Sequence, residues 1–124
     1  MQGIKISSYK ELLVWQKSTD LAILIYKLTQ DFPKEETYGL VSQMRRSSVS
    51  VPSHRAEGSV RGSKKEFQHF LKISLGSLSE LETQLLISTK LSFLTELNYN
   101  KVDVVLIEVR KMLYGLIKKL TTDN

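Results

Sequence analysis

An all-α fold, an antiparallel up-down-up-down four-helix bundle, is the architecture this chain predicts, and three observations predict it. Glycine and proline number 6 and 2 in 124 residues, about half the usual share, so turns are few and elements are long. Apolar residues recur three and four apart over stretches of twenty residues or more, the period of a helix with one buried face. The breakers that do occur divide the chain into four such stretches with short connections, and short connections make neighbouring helices antiparallel.

Helix 1 is expected from Tyr9 to Asp31, closed by Pro33, which biases Phe32 away from helix. Leu21 to Tyr26 are six consecutive apolar residues. At about 100° per residue they cover nearly every face, and a helix apolar all round is normally buried all round. One chain of this size cannot enclose such a helix, so a contact with a second copy is expected. Helix 2 is expected from Thr37 to Glu57, with Thr37 as its cap and Leu40, Val41, Met44 and Val51 as its stripe. Pro52 clashes with the carbonyl of Ser48, so a kink or an early stop is expected there. Gly58 and Gly62 bracket the next loop. Helix 3 opens on Ser63-Lys64-Lys65-Glu66, a capping box, and runs to about Leu91 with Phe67, Leu71, Ser74, Leu78, Leu81 and Leu85 on one face. Helix 4 is expected from Thr95 or Asn98 to Leu120. It has the clearest stripe in the chain, and Val104, Ile107 and Tyr114 lie off it as a second sign of an outside contact.

The composition excludes several classes of function. There is no cysteine, hence no disulfide scaffold, thiolate metal site or cysteine nucleophile. The longest apolar run is far short of a membrane span, and Met1–Lys10 lack the pattern of a secretory signal, so a cytoplasmic protein without membrane contact is expected. Glu66 and His69 match one Glu-x-x-His element of di-iron bundles. A full site needs two such elements and two further carboxylates, and His54 supplies no second one. No nucleophile elbow, zinc-protease motif or phosphate loop is present. No enzyme, metal or cofactor is therefore expected.

The net charge is +5, and all of that excess lies between residues 45 and 72. There Arg45, Arg46, Arg55, Arg61, Lys64, Lys65 and Lys72 face only Glu57 and Glu66. A concentrated excess attracts a polyanion where a scattered one does not. Arg61-Gly62-Ser63-Lys64-Lys65 also places cations beside the free amides of a helix start, which suits a phosphate. The candidate contact residues for nucleic acid are Arg45, Arg46, Arg55, Arg61, Lys64 and Lys65. No RNA-recognition motif or helix-turn-helix is present, so phosphate contacts without base readout are expected. The competing reading is an adaptor whose basic segment docks an acidic partner protein.

Seven blocks carry a family resemblance. They are Tyr9-Lys10-Glu11-Leu12-Leu13-Val14-Trp15-Gln16-Lys17, Phe32-Pro33-Lys34-Glu35-Glu36, Tyr38-Gly39-Leu40-Val41-Ser42-Gln43-Met44-Arg45-Arg46, Val51-Pro52-Ser53, Ala56-Glu57-Gly58, Arg61-Gly62-Ser63-Lys64-Lys65-Glu66-Phe67, and Leu75-Gly76-Ser77-Leu78-Ser79-Glu80-Leu81-Glu82-Thr83-Gln84. In this order and spacing the chain resembles the 23S rRNA-intervening-sequence proteins of bacteria. That resemblance implies a four-helix bundle without enzymatic activity. It also implies kinship with the accessory variability protein of diversity-generating retroelements, a homopentamer with a basic surface that binds nucleic acid and a reverse transcriptase. A homo-oligomer, a pentamer by this resemblance, and RNA ahead of DNA are the expected partners, with a reverse transcriptase or another protein as a further one. The chain departs from the family's pattern at His54, Arg55, Ser59 and Val60, where Arg55 adds to the basic segment.

Overall fold

The computed structural model describes residues 8–122, so most of the Met1–Lys10 segment lies outside it. Four helices make up the fold: α1 Ser8–Thr29, α2 Leu40–Ser59, α3 Lys64–Lys90 and α4 Glu96–Thr122. A single 3-10 turn, Lys34–Glu36, precedes α2, and there is no strand among the described residues. Each helix packs on the two next to it in a ring, α1 on α2, α2 on α3, α3 on α4 and α4 on α1.

The contacts run in opposite directions along every pair. Met44, Ser50 and Val51 of α2 meet Ser88, Ser77 and Ser74 of α3. Gln68 and Glu82 of α3 meet Ile117 and Arg110 of α4. Lys17 of α1 meets Glu108 of α4, while Leu13 and Val14 line a groove with Met112 and Leu116. Tyr26 and Thr29 meet Arg45 near the start of α2, while Thr19 and Ala22 lie beside Pro52 further along it. Rising numbers on one helix meet falling numbers on its neighbour, so the bundle is antiparallel, up-down-up-down, as its short connections predict.

The core is the set of stripes read from the sequence. Leu21 and Ile25, Met44 and Val51, Phe67 to Leu85, and Val102 to Leu120 are buried together. Six serines are buried with them, and the hydroxyls of the four that are wholly enclosed each find a partner inside. Ser18 donates to the Val14 carbonyl at 2.8 Å, Ser48 to that of Arg45 at 2.9 Å, Ser74 to that of Val51 at 2.8 Å, and Ser88 to that of Gln84 at 2.8 Å. A small side chain at such positions lets helices approach, and the internal bond removes most of the cost of burying its oxygen.

Helix ends follow local chemistry. The Ser63 hydroxyl accepts from the Glu66 amide at 3.1 Å and lies 3.3 Å from its carboxylate, as the capping box predicts. The Thr95 hydroxyl accepts from the Asn98 amide at 3.1 Å, which settles where α4 begins. At the end of α3, Ser92 takes a left-handed φ of 65°, and the Phe93 amide returns to the Ser88 carbonyl at 2.9 Å.

Two features expected of α2, the Thr37 cap and an early stop at Pro52, do not occur. Thr37 does not cap it, because the 3-10 turn moves the start to Leu40, and there the Glu36 carboxylate accepts from the Leu40 amide at 3.2 Å. Pro52 does not stop it either. The helix runs on seven residues to Ser59, and Ser74 of α3 bonds the carbonyl just before the proline. Packing against α3 over the whole length of α2 outweighs one missing backbone donor.

Candidate nucleic-acid interface

The corner between α2 and α3 is built around Phe70. Gly58 is so close to it that a Cβ at position 58 would lie 2.6 Å from the Phe70 Cβ. The Arg61 guanidinium sits 4.8 Å from the centre of the Phe70 ring and the His54 ring 6.1 Å from it. His54 Nδ1 lies 2.8 Å from the Ser50 hydroxyl and 2.9 Å from the Ser50 carbonyl, and the Ser50 hydroxyl lies 2.7 Å from that of Ser77. The last of these bonds ties α2 to α3 near the middle of the bundle. Glu66 and His69 are both exposed, with the His69 ring edge-on to Phe70. Among the described residues no cluster of three or more histidines and carboxylates could hold a metal.

The structure divides the candidate contact residues between the two ends of the bundle. Arg55, Arg61, Lys64 and Lys65 lie at the corner end, with Arg61 in an ion pair with Glu57 at 2.6 Å. Arg45 and Arg46 lie near the start of α2, roughly 20 Å away at 1.5 Å per residue. Arg45 is half-buried and works inside the fold. Its Nε donates to Thr29 Oγ1 at 3.0 Å, a second nitrogen donates to the Tyr26 carbonyl at 3.2 Å, and the guanidinium stacks 4.5 Å from the Tyr26 ring centre. It holds one carbonyl of the last turn of α1, where the helix dipole favours a cation. Arg46 is exposed on a polar groove between α2 and α3 in which Glu80 faces it. The six residues therefore do not form one cluster.

A larger arrangement replaces it. Consider a plane across the bundle near Ser18, Ser50, Ser77 and Val109. On the corner side, the described side chains include ten cations and two carboxylates, Glu57 and Glu66. On the far side there are six cations and nine carboxylates. The bundle is charged +8 at one end and −3 at the other (+6 and −1 without the pairs Lys17–Glu108 and Arg110–Glu82, which span the plane), and α4 alone runs from −2 to +4. The missed contribution comes from the last turns of α4, where Lys111, Lys118 and Lys119 lie along the half of α3 that carries Lys64, Lys65 and Lys72, while Arg110 pairs with Glu82. Outside residues 45–72 cations and acids number eleven each, so in the sequence these lysines look balanced, and only the antiparallel fold sets them next to the start of α3. Lys65, Lys72, Lys111 and Lys118 are exposed and take part in no ion pair among the described residues.

Exposed apolar side chains are segregated the other way. Ten of the fourteen large ones, among them Ile23, Tyr26, Val49, Leu97, Val104 and Ile107, lie in the far half. The helix read as apolar all round is only partly covered in one copy: Leu21, Ala22 and Ile25 are buried, whereas Ile23 is 48% and Tyr26 43% exposed. No described helix is long and apolar enough to cross a membrane.

Fold and site together define a class: a helical bundle with a basic end and an apolar, acidic one. Within that class the chain belongs to the 23S rRNA-intervening sequence protein family, whose pattern matches residues 10–115. It is also similar to a crystal structure of a protein of unknown function from the S23 ribosomal protein family of Bacteroides thetaiotaomicron VPI-5482. That likeness has a TM-score of 0.81 and 25% identity, and covers 88% of this chain and 98% of the other. No curated protein matches.

Proposed function

We propose that this chain is a non-enzymatic, self-associating bundle that binds nucleic acid, RNA in the first place, through phosphates at its basic end. The observation that carries this reading is the separation of charge along the bundle. Ten cations against two carboxylates give a field that an even distribution of the same +5 would not. Arg61, Lys64 and Lys65 keep their place in the interface. Lys72, Lys111 and Lys118 join it, while Arg45 and Arg46 leave it.

The oligomer is formed through the far halves. Ile23, Tyr26 and Val49 edge a groove between α1 and α2, and Leu97, Val104 and Ile107 lie on the outward side of α4, a different face. Contact between two different patches is heterologous, and it closes into a ring, as a pentamer requires, where the rotation from copy to copy closes. Each added copy brings +5, so assembly strengthens long-range attraction. Light scattering should give a mass several times that of one chain, and Ile23→Lys should lower it. A single-chain mass for the unaltered protein at micromolar concentration refutes the oligomer.

Filter binding to a structured RNA at about 50 and 200 mM salt tests the interface. Binding should weaken steeply with salt. Lys65→Gln/Lys118→Gln should weaken it further at low salt and flatten the salt dependence, whereas Arg46→Gln should change neither. No binding at low salt, or binding indifferent to salt, overturns the reading.

A further inference from the structure

We infer that the basic end takes single-stranded rather than duplex nucleic acid, and that Tyr114 is the surface on which an unpaired base stacks. This rests on the nucleic-acid reading above and adds the form of the ligand and the residue that selects it. Tyr114 is 58% exposed, and it stands apart from the exposed apolar groups of the far half. On α4 it lies between Lys111 and Lys118, three residues after one and four before the other, so both cations flank the ring about 5 Å away along the axis.

The neighbouring helix completes the setting. Gln68 of α3 donates to the Ile117 carbonyl at 3.2 Å and also bonds Thr121, which fixes the register between the two helices. Four residues further along α3, Lys72 is therefore opposite the turn of α4 that holds Tyr114. Three residues earlier, Lys65 is opposite the end of α4. Along the bundle axis the cations follow in the order Lys65, Lys118, Lys72, Lys111, separated by about 5 Å each, with the ring among them. A row of cations tracking a backbone, with an aromatic face set into it, is the arrangement by which proteins hold single strands.

The form of the ligand follows from sterics. In a duplex each base is covered by its neighbours, and a ring on the side of a helix cannot reach a base face. Duplex RNA would meet only the lysines, whereas a single strand can turn a base onto the ring while its phosphates stay on the cations. Stacking of this kind responds to loss of the ring and not to salt, which separates it from the lysine contribution.

Fluorescence polarisation tests this with a labelled mixed-sequence oligoribonucleotide of about 20 nucleotides, alone and annealed to its complement. The single strand should bind more tightly than the duplex. Tyr114→Ala should weaken the single strand roughly tenfold, leave the duplex unchanged, and keep the slope of log K against log salt. Tyr114→Trp should restore or exceed the original affinity. Lys118→Gln should weaken both ligands and reduce the slope by about 0.7 for the single strand. If RNA is bound at the basic end but duplex binds as well as single strand, or Tyr114→Ala is neutral, the stacking inference falls and the proposed function stands. If Tyr114→Ala lowers the oligomer mass in light scattering, Tyr114 belongs to an interface between copies and the inference also falls. If neither ligand binds at low salt, both fall.

Discussion

Gly58→Ala tests the contact that closes the α2–α3 corner. The added Cβ would lie 2.6 Å from the Phe70 Cβ and 3.2 Å from the Phe67 Cδ1, against an ordinary carbon–carbon contact of about 3.5–4.0 Å. The Phe70 Cβ is fixed to its backbone, so no change of rotamer relieves the clash, and α2 and α3 must separate by about 1 Å. Overpacking of that kind costs about 1–3 kcal/mol. Against it stands the gain of alanine over glycine in a helix, at most about 1 kcal/mol and less at position 58, one residue before α2 ends. The clash wins, and a net loss of about 1–2 kcal/mol is expected. Gly76→Ala and Gly115→Ala are the controls. A Cβ at either position meets nothing within 4 Å, and both sites are exposed inside long helices, so each should gain about 0.5–1 kcal/mol. Urea denaturation followed by far-UV circular dichroism measures all three. A Gly58→Ala protein as stable as the parent, beside stabilised controls, would refute the close approach of α2 and α3 at this corner.

Three further outcomes are expected. Arg45→Met should cost about 1–2 kcal/mol in the same denaturation assay, through loss of the bonds to Thr29 and Tyr26, and should leave RNA affinity unchanged. Ser92→Gly should stabilise the chain by about 1 kcal/mol, because position 92 holds a left-handed φ that glycine adopts without strain; no gain would count against that conformation. Burial raises the Tyr99 phenol above its ordinary value, with the Asp103 and Glu82 carboxylates adding to the shift. The fold thus holds this proton more tightly than the unfolded chain does. That contribution is present below the unfolded pKa near 10 and is lost as pH rises through the higher folded value, so Tyr99→Phe should flatten the decline of stability in alkaline urea titrations.

Periodicity made the helices and the core legible in the sequence, because burial of one face leaves a repeat that no connection can disguise. Ser63 announced the start of α3 for the same reason, since a cap is a local device read over four residues, whereas the start of α4 stayed open between Thr95 and Asn98. What stayed hidden depended on other elements. Thr37 looks like a cap until the 3-10 turn takes the residues before it, and Glu36 then does the work from four residues upstream. Pro52 looks like a stop until α3 is laid along the whole of α2. Arg45 looks like a surface cation until α1 ends beside it and presents two acceptors. Lys111 and Lys118 look neutralised in a count over the chain until the fold sets their half of α4 against the half of α3 that carries Lys65 and Lys72.

Charge and greasiness are separated along the same axis, and the two separations support each other. In the proposed oligomer, association through the far halves would bring together surfaces where carboxylates outnumber cations and apolar groups are exposed, so the basic ends would not be required to approach through contact. The cations of each copy then stay in water, where they repel one another weakly across a screened distance of about 8–10 Å and together face any polyanion. Had the lysines of α3 and α4 lain among Ile23, Val49 and Val104, burying them in an interface would have cost their hydration, and few would remain for phosphate. Lys65→Gln/Lys118→Gln should therefore leave the proposed assembly intact, and Ile23→Lys should leave the basic end intact. Independence of those two effects is what this arrangement requires of the molecule.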